Sequence, residues 1–200
     1  MLAVILFALI PTTSHSESAT RVFQVAVIDD VPSTQAATRI LSAAYGKLGI
    51  HMETTITPSR RALLLADQGL VDGDLFRVEA VAQQYPNLVQ VPYPLLQGQL
   101  IAVVAPQHDN QLPDIDDRPL EVAVRRGVII AETTAQNLGM KLVLTDSYRQ
   151  MRILLERGRV DLLLVSDIEG LSPLYLSAWG HLGRVPDPVA QFTLYHYLHH

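Results

Sequence analysis

The sequence carries the same order of strand and helix signals twice, and this repetition constrains the fold more than any other feature. The first copy begins with an apolar run at 22–28, and apolar residues at helical spacing follow it up to Gly49. A strand at about 50–56, a second helix that ends at Gly69 and a strand from residue 71 complete this copy. Continuous valine-rich runs bounded by turn residues are typical of strands buried on both faces of a parallel sheet.

The second copy has the same five elements in the same order. The strand at 121–124 repeats Val-Ala-Val, and a helix over 129–138 and a strand over 140–144 follow it. Ser147, with Gln150 three residues later, has the form of a capping box that opens the next helix. That helix ends in a glycine, and the strand Val-Asp-Leu-Leu-Leu-Val-Ser comes after it.

Two tetrapeptides occupy corresponding places in the copies. Gly69-Leu-Val-Asp72 precedes the last strand of the first copy, and Gly158-Arg-Val-Asp161 precedes that of the second. We interpret both aspartates as turn or cap residues. Any two α/β halves share some of this pattern for physical reasons, but the ordered agreement of five elements favours two similar lobes.

Each copy predicts a β-α-β-α-β unit, which folds with right-handed connections into a mostly parallel sheet flanked by helices. We therefore expect an α/β protein with two lobes. The polar, proline-rich segment 106–119 is predicted to be a linker between lobe 1 at 19–105 and lobe 2 at 120–190. Residues 191–200 are predicted to return as a strand toward lobe 1.

Composition excludes several function classes. The net charge of −5 and the lack of any Lys/Arg block argue against a nucleic-acid partner. The absence of cysteine excludes disulfides, zinc-thiolate sites and cysteine nucleophiles. The apolar run at 2–10, followed by small polar residues, predicts a secretory signal over 1–18 and a periplasmic protein. No Lys or Arg precedes that run, so a buried N-terminal strand or helix stays the alternative.

Several short motifs follow one another in a recognisable order along the chain. They are Asp29-Asp30-x-Pro32, the Gly-x-Val-Asp-Gly at 69–73, Arg77, the stretch 87–94, residues 119–124 with Gly127, and Asp161 with Asp167. Their order resembles the periplasmic solute-binding proteins of family 3, the polar amino-acid type, over nearly all of residues 21–198. The resemblance implies the two-lobed type II periplasmic-binding fold, with no cofactor and no catalysis. It also implies binding of a small polar solute, an amino acid or small carboxylate, between the lobes, for delivery to an ABC-type transporter.

The sequence departs from the family pattern at two places. The family often has a Thr or Ser after the glycine that opens the first helix of lobe 2, and this hydroxyl helps to hold a ligand carboxylate. Here Val128 follows Gly127. Relatives also usually continue with a helix or two beyond the point where this sequence stops, at His200. We therefore expect a truncated or unusually short member.

Ligands of open α/β sheets bind beyond the carboxyl ends of the strands, which selects the candidate site residues. Arg77 is the first choice, because a guanidinium can hold a carboxylate through two parallel hydrogen bonds and the resemblance implies this role. A surface salt bridge to Asp74 or Glu79 is its alternative role. Asp167 would pair with a ligand ammonium group, or else cap a helix that begins at Ile168.

Further candidates also have structural alternatives. Asp29 and Asp30 either line the pocket or cap the following helix, and Arg125 or Arg126 could reach the ligand in place of the missing hydroxyl. Arg60 begins a helix, an unfavourable position for a cation, so it contacts an anionic ligand or forms a salt bridge. Tyr93 forms an aromatic wall or packs in the core. We expect no metal at the three C-terminal histidines, His196, His199 and His200.

Alternatives to a carrier remain open. A sensory or interaction domain and, less favoured, a dehydratase with a carboxylate acid can use the same fold. The sequence has no Gly-x-Ser-x-Gly, His-Glu-x-x-His, Walker A or Gly-x-Gly-x-x-Gly motif. We expect a monomer whose partners are a small polar solute and a membrane permease or receptor.

Overall fold

The computed structural model describes residues 22–28, 32–115, 117–171 and 176–200. The predicted signal at 1–18 and the candidates Asp29 and Asp30 lie outside the described residues. The predicted limits of the two lobes and the linker role of 106–119 stay predictions.

Two units of three strands and two helices follow one another along the chain. The first contains β1 (Phe23–Ile28), α1 (Pro32–Lys47), β2 (Met52–Thr57), α2 (Ser59–Asp67) and β3 (Gly73–Arg77). The second contains β5 (Glu121–Arg125), α3 (Ile129–Asn137), β6 (Lys141–Thr145), α4 (Tyr148–Glu156) and β7 (Leu162–Ser166). The remaining strands are β4 (Leu88–Val104), β8 (Gly183–Arg184) and β9 (Ala190–His199).

One hydrogen-bonded sheet runs through both units in the order β2-β1-β3-β9-β4-β7-β5-β6. β1 pairs in parallel with β2 and β3, and β5 pairs in parallel with β6 and β7. The long strands β4 and β9 lie between these groups and run antiparallel to their neighbours. We call the β1–β3 group with its helices the first lobe and the β5–β7 group with its helices the second lobe. β4 and β9 connect them.

The repeated aspartates perform the same task in each lobe. The Asp72 carboxylate accepts a hydrogen bond of 2.8 Å from the backbone N–H of Gln24, and the Asp161 carboxylate accepts one of 2.7 Å from Glu121. The N–H of each aspartate donates in turn to the carbonyl of the same residue, at 2.8 Å in both lobes. These aspartates therefore have a structural role, but they join the start of the third strand to the first strand rather than capping a helix or a turn.

All four helices end in the same way. The residue after each terminal glycine donates its N–H to a carbonyl five residues earlier, as Ile50 does to Tyr45 and Met140 does to Ala135. The glycines adopt φ between 60° and 73°, a region that other residues enter at a cost. The repeated glycines of the sequence are therefore helix stops. They are Gly49, Gly69, Gly139 and Gly158.

Helix faces match the sequence pattern in part. In α4 the stripe of Met151 and Leu155 is buried, and the Ser147 hydroxyl caps the helix by accepting from Gln150 N at 3.2 Å. In α1, Ala37 and Leu41 are buried, but Ile40 is 48% exposed, so the apolar spacing of the sequence does not match the buried face at that residue. No helix in the described part of the chain is long and apolar enough to cross a bilayer.

Candidate functional site

A cleft of about 660 Å³ lies where the carboxyl ends of the parallel strands of the two lobes face each other. The first lobe contributes the ends of β1, β2 and β3 with the start of α2. The second contributes the ends of β5 and β7 with the turn before α3. We call this the main cleft. Its described polar lining comprises Thr57, Ser59, Arg77, Arg125, Arg126, Asp146, Ser166 and Glu169.

Arg77 lines the main cleft but is held by the first lobe itself. It is 5% exposed, and its Nε and Nη2 donate to the two carboxylate oxygens of Asp74 at 2.9 and 2.8 Å. Nη1 donates to Ser59 Oγ at 2.8 Å and Nη2 to Ser59 O at 3.0 Å. These bonds use four of the five guanidinium N–H groups. The salt bridge to Asp74 exists, but it is buried rather than on the surface.

Ser59 and Arg60 reach across the main cleft to the second lobe. Ser59 Oγ donates to the carbonyl of Gly127 at 2.8 Å, and Arg60 Nη2 donates to Glu132 Oε2 at 2.6 Å. The other oxygen of Glu132 accepts from Gly127 N at 2.6 Å, although Glu132 is only 7% exposed. The two lobes therefore touch at the start of α2 and the start of α3. Arg60 has the salt bridge that was its structural alternative.

A second polar group lies on the wall that the second lobe contributes. The Tyr148 hydroxyl donates to Glu169, and the Arg125 guanidinium lies 5.2 Å from the centre of the Tyr148 ring. Burial raises the pKa of the Glu169 carboxyl, while the Tyr148 hydrogen bond and the Arg125 charge oppose that rise. The same burial, with the Glu169 charge, raises the pKa of Tyr148 well above its usual range.

Two other candidates lie at the periphery. Arg126 lines the main cleft, and its Nε donates to Asp146 at 3.0 Å in a pair that is exposed on both sides. Tyr93, on β4, is 77% exposed and is not among the described residues that line a cleft. Its predicted place in the core is therefore wrong, and it provides no wall here.

Asp167 faces a different cavity from Arg77. It lines a cleft of about 730 Å³ with Glu79, Gln99 and Tyr195, and its carboxylate accepts from Gln99 N at 2.7 Å. No helix begins after it in the described chain, since residues 167–171 form turns, so the predicted helix-cap role is wrong. This cleft adjoins the main cleft, because Val78, Ile129, Ile130 and Phe192 line both, and Ser166 lies in the main cleft.

Of the three C-terminal histidines, His196 is held by hydrogen bonds to groups of the protein itself. The buried His196 contacts the Asp74 carbonyl through Nδ1 at 2.8 Å and the Tyr45 hydroxyl through Nε2 at 2.8 Å. Carbonyl oxygens only accept, so Nδ1 carries the proton and Tyr45 donates to Nε2. Burial lowers the pKa of His196. Within the described ranges, no three metal-ligating side chains are grouped.

Sequence reasoning missed Ser59, Glu132 and Glu169 as parts of the site. Glu132 carried one usable signal, because an acid in the first turn of a helix is favoured by the helix dipole and can satisfy its N–H groups. Ser59 and Glu169 take their places from contacts made across the tertiary structure, and nothing in the local sequence marks them.

No protein-family model and no curated protein matches the sequence. Solved structures match the fold. The GluR0 ligand-binding core in complex with L-glutamate has a TM-score of 0.71 at 14% identity, over 90% of this chain and 86% of that chain. A histidine kinase sensor domain with similarity to periplasmic binding proteins gives 0.71 at 18% identity, over 90% and 82%.

A putative binding component of an ABC transporter from Wolinella succinogenes, complexed with lysine, is similar in the same way. Its TM-score is 0.70 at 12% identity, over 88% of this chain and 81% of that chain. These likenesses extend over both lobes and over the long strands between them. This chain therefore has the two-lobed type II periplasmic-binding-protein fold.

Proposed function

We propose that this chain binds one small solute in the main cleft and closes its lobes around it, outside the cytoplasm, as the binding component of an ABC-type transporter. The observation that carries the proposal is the cleft of about 660 Å³ between the strand ends of two lobes, a usual size for small-molecule sites. The similar structures in complex with glutamate and lysine support it.

Lobe closure would couple binding to recognition by a partner. A ligand that contacts both lobes favours the closed state by its differential affinity for that state. The contacts of Ser59 and Arg60 with the second lobe belong to such a closed state. β4 and β9 are the strands through which the lobes would move, since they connect the two groups of parallel strands.

Two dyes would test the proposal. The chain has no cysteine, so Leu64→Cys on α2 and Leu138→Cys beside α3, both exposed, provide unique labelling sites in different lobes. A solute library is screened first by thermal shift. Any hit should change energy transfer between these dyes, whereas a control pair within the first lobe, Leu48→Cys and Leu64→Cys, stays unchanged. Absence of any hit, or equal changes in both pairs, would contradict the proposal.

A sensor is the second candidate, because one similar structure is a histidine kinase sensor domain. Both functions use the same cleft and differ in the partner that reads the closed form. Capture of a transporter permease by the ligand-bound protein favours the carrier, and capture of a kinase favours the sensor.

A dehydratase has one observation in its favour, the buried carboxyl of Glu169 in the main cleft. Burial raises the pKa of this group, as a general acid requires. Incubation with prephenate-like acids distinguishes the two: product formation that Glu169→Gln abolishes indicates an enzyme, and stabilisation without turnover indicates a carrier.

A further inference from the structure

We infer that Asp74 and Glu132 determine the specificity of the main cleft. These two carboxylates belong to the protein itself, and they accept the hydrogen bonds of the donor groups that would otherwise hold a ligand carboxylate. The cleft then takes a ligand with an apolar body that is neutral or positively charged, rather than a free amino acid or small carboxylate. This inference rests on the proposed function, because it names the ligand class of the same cleft.

The first donor group is the Arg77 guanidinium. A carboxylate is held best by two parallel N–H donors, and Asp74 already accepts that pair of bonds at 2.9 and 2.8 Å. Asp74 is 1% exposed and Arg77 5% exposed, so the pair is shielded from water. A ligand carboxylate would have to displace a buried carboxylate that is three residues away in the chain.

The second donor group is the backbone N–H of Gly127, in the turn that leads into α3. The start of this nine-residue helix favours a negative charge, and Glu132 supplies one by accepting from Gly127 N at 2.6 Å. Arg60 holds the other oxygen of Glu132 at 2.6 Å. Both oxygens of this internal carboxylate are therefore used.

Ser59 joins the two donor groups into one arrangement. Its hydroxyl accepts from Arg77 Nη1 at 2.8 Å and donates to the Gly127 carbonyl at 2.8 Å. Arg77 and Gly127 thus lie on the two sides of one serine hydroxyl, each with its own internal carboxylate.

The other cations among the described lining residues of the main cleft, Arg125 and Arg126, also contact groups of the chain. Arg126 pairs with Asp146 at 3.0 Å. Arg125 lies over the ring of Tyr148, whose hydroxyl donates to Glu169. Ten of the nineteen described lining residues are Ile, Leu, Val, Phe or Pro, so the cleft offers a ligand mainly apolar contacts.

Anion rescue tests whether the two carboxylates fill anion sites. Glu132→Ala and Asp74→Ala each remove one internal carboxylate, and sodium acetate is then compared with sodium chloride at equal ionic strength. We expect acetate at ten times its dissociation constant to raise the Tm of either variant by about 3–6 °C. The wild type and Asp146→Ala, which opens only the exposed Arg126 pair, should not respond.

Every outcome of the anion-rescue experiment either supports or overturns the inference. If Asp74→Ala does not fold, Glu132→Ala alone gives the result, and Glu132→Gln, which keeps one acceptor oxygen, should be rescued less than Glu132→Ala. An equal response of the wild type shows that the donors are open and overturns the inference. No response in any folded variant shows that the donors cannot hold an anion and overturns it as well.

The second arm uses amino acids and their amides on the wild-type protein. We expect no stabilisation by the twenty free amino acids. A response to any of them overturns the inference while supporting solute binding, and its loss on amidation identifies the carboxylate as the group that is recognised. The rescue arm needs no cleft ligand, so it stays decisive even if the proposed function fails.

Discussion

Gly127→Ala gives the sharpest test of the contact between the lobes. Gly127 has φ of +83°, and a Cβ placed on it would lie 2.7 Å from Ser59 Cβ and 2.9 Å from Ser59 Oγ. Carbon atoms in good contact are about 3.5–4.0 Å apart, so the lobes would have to separate by roughly 1 Å at this point. Ser59 belongs to α2 of the first lobe, and Gly127 precedes α3 of the second.

Gly127→Ala is expected to lose free energy of unfolding for two reasons, and a substitution at a second glycine distinguishes between them. An alanine in the left-handed region costs about 1–2 kcal/mol wherever it stands, which lowers the Tm of a chain of this size by about 2–8 °C. Gly158→Ala carries this cost alone, because Gly158 has φ of +60° and nothing within 4 Å of its added Cβ. Gly127→Ala carries the same cost together with the contact against Ser59.

The contact can be relieved by opening, because β4 and β9 link the lobes. We therefore expect both variants to lose similar stability, while only Gly127→Ala lowers energy transfer between dyes at residues 64 and 138 and increases the radius of gyration. Small-angle scattering and single-molecule energy transfer measure this with a saturating solute hit from the screen, because the proposed function places the lobes in contact in the ligand-bound protein. If Gly127→Ala and Gly158→Ala gave the same energy transfer and the same radius of gyration, the lobes would not touch at Ser59, and the closed arrangement would be refuted.

Three further outcomes are expected. Arg77→Ala should lower the free energy of unfolding in urea by about 3–5 kcal/mol, because it leaves buried Asp74 unpaired; unchanged stability would show that this buried pair does not stabilise the fold. Burial lowers the pKa of His196, so the unfolded chain binds a proton at a higher pH than the folded chain does, and the stability falls as the pH drops below about 6.5. The urea midpoint should therefore fall between pH 7 and pH 5, and this fall should be smaller in His196→Gln. An equal fall in the variant would exclude His196 as the cause. Met151→Ala, in the core of the second lobe, should lower the free energy of unfolding by about 2–5 kcal/mol in the same assay. Leu138→Ala, at a side chain that is 55% exposed, should change it by no more than about 0.5 kcal/mol. Equal losses of stability in the two variants would contradict the packing described.

The fold was predictable from the sequence because its signals are local and occur twice. Three kinds of signal were readable: the valine-rich runs, the glycines that end helices and the Asp of each Val-Asp pair. Each of them contacts residues that are close in sequence, or a neighbouring strand that the pattern itself predicts. The length of β4 was harder to predict from the sequence. Its first part contains two prolines, at 92 and 94, and the pairing of β4 with β9 changes register on both sides of Pro94.

The site was less predictable because its contacts join distant parts of the chain. Ser59 and Gly127 are 68 residues apart, and Arg60 and Glu132 are 72 residues apart. A cation in the first turn of α2 was a signal that something anionic lies near it, but the sequence could not distinguish a ligand from Glu132 of the other lobe. Local patterns identify groups that need a partner, and only the tertiary structure identifies the partner.

The repetition itself contains a further signal about the site. Arg77 stands 8 residues after Gly69 (77 − 69), and the residue 8 after Gly158 is Ser166 (166 − 158), not Asp167. Both Arg77 and Ser166 end the third strand of their lobe and line the main cleft, while Asp167 lines the other cleft. Positions where the two copies agree, such as Asp72 and Asp161, maintain the scaffold. Equivalent positions where they differ, such as Arg77 and Ser166, are where the two lobes contribute different chemistry to one cleft.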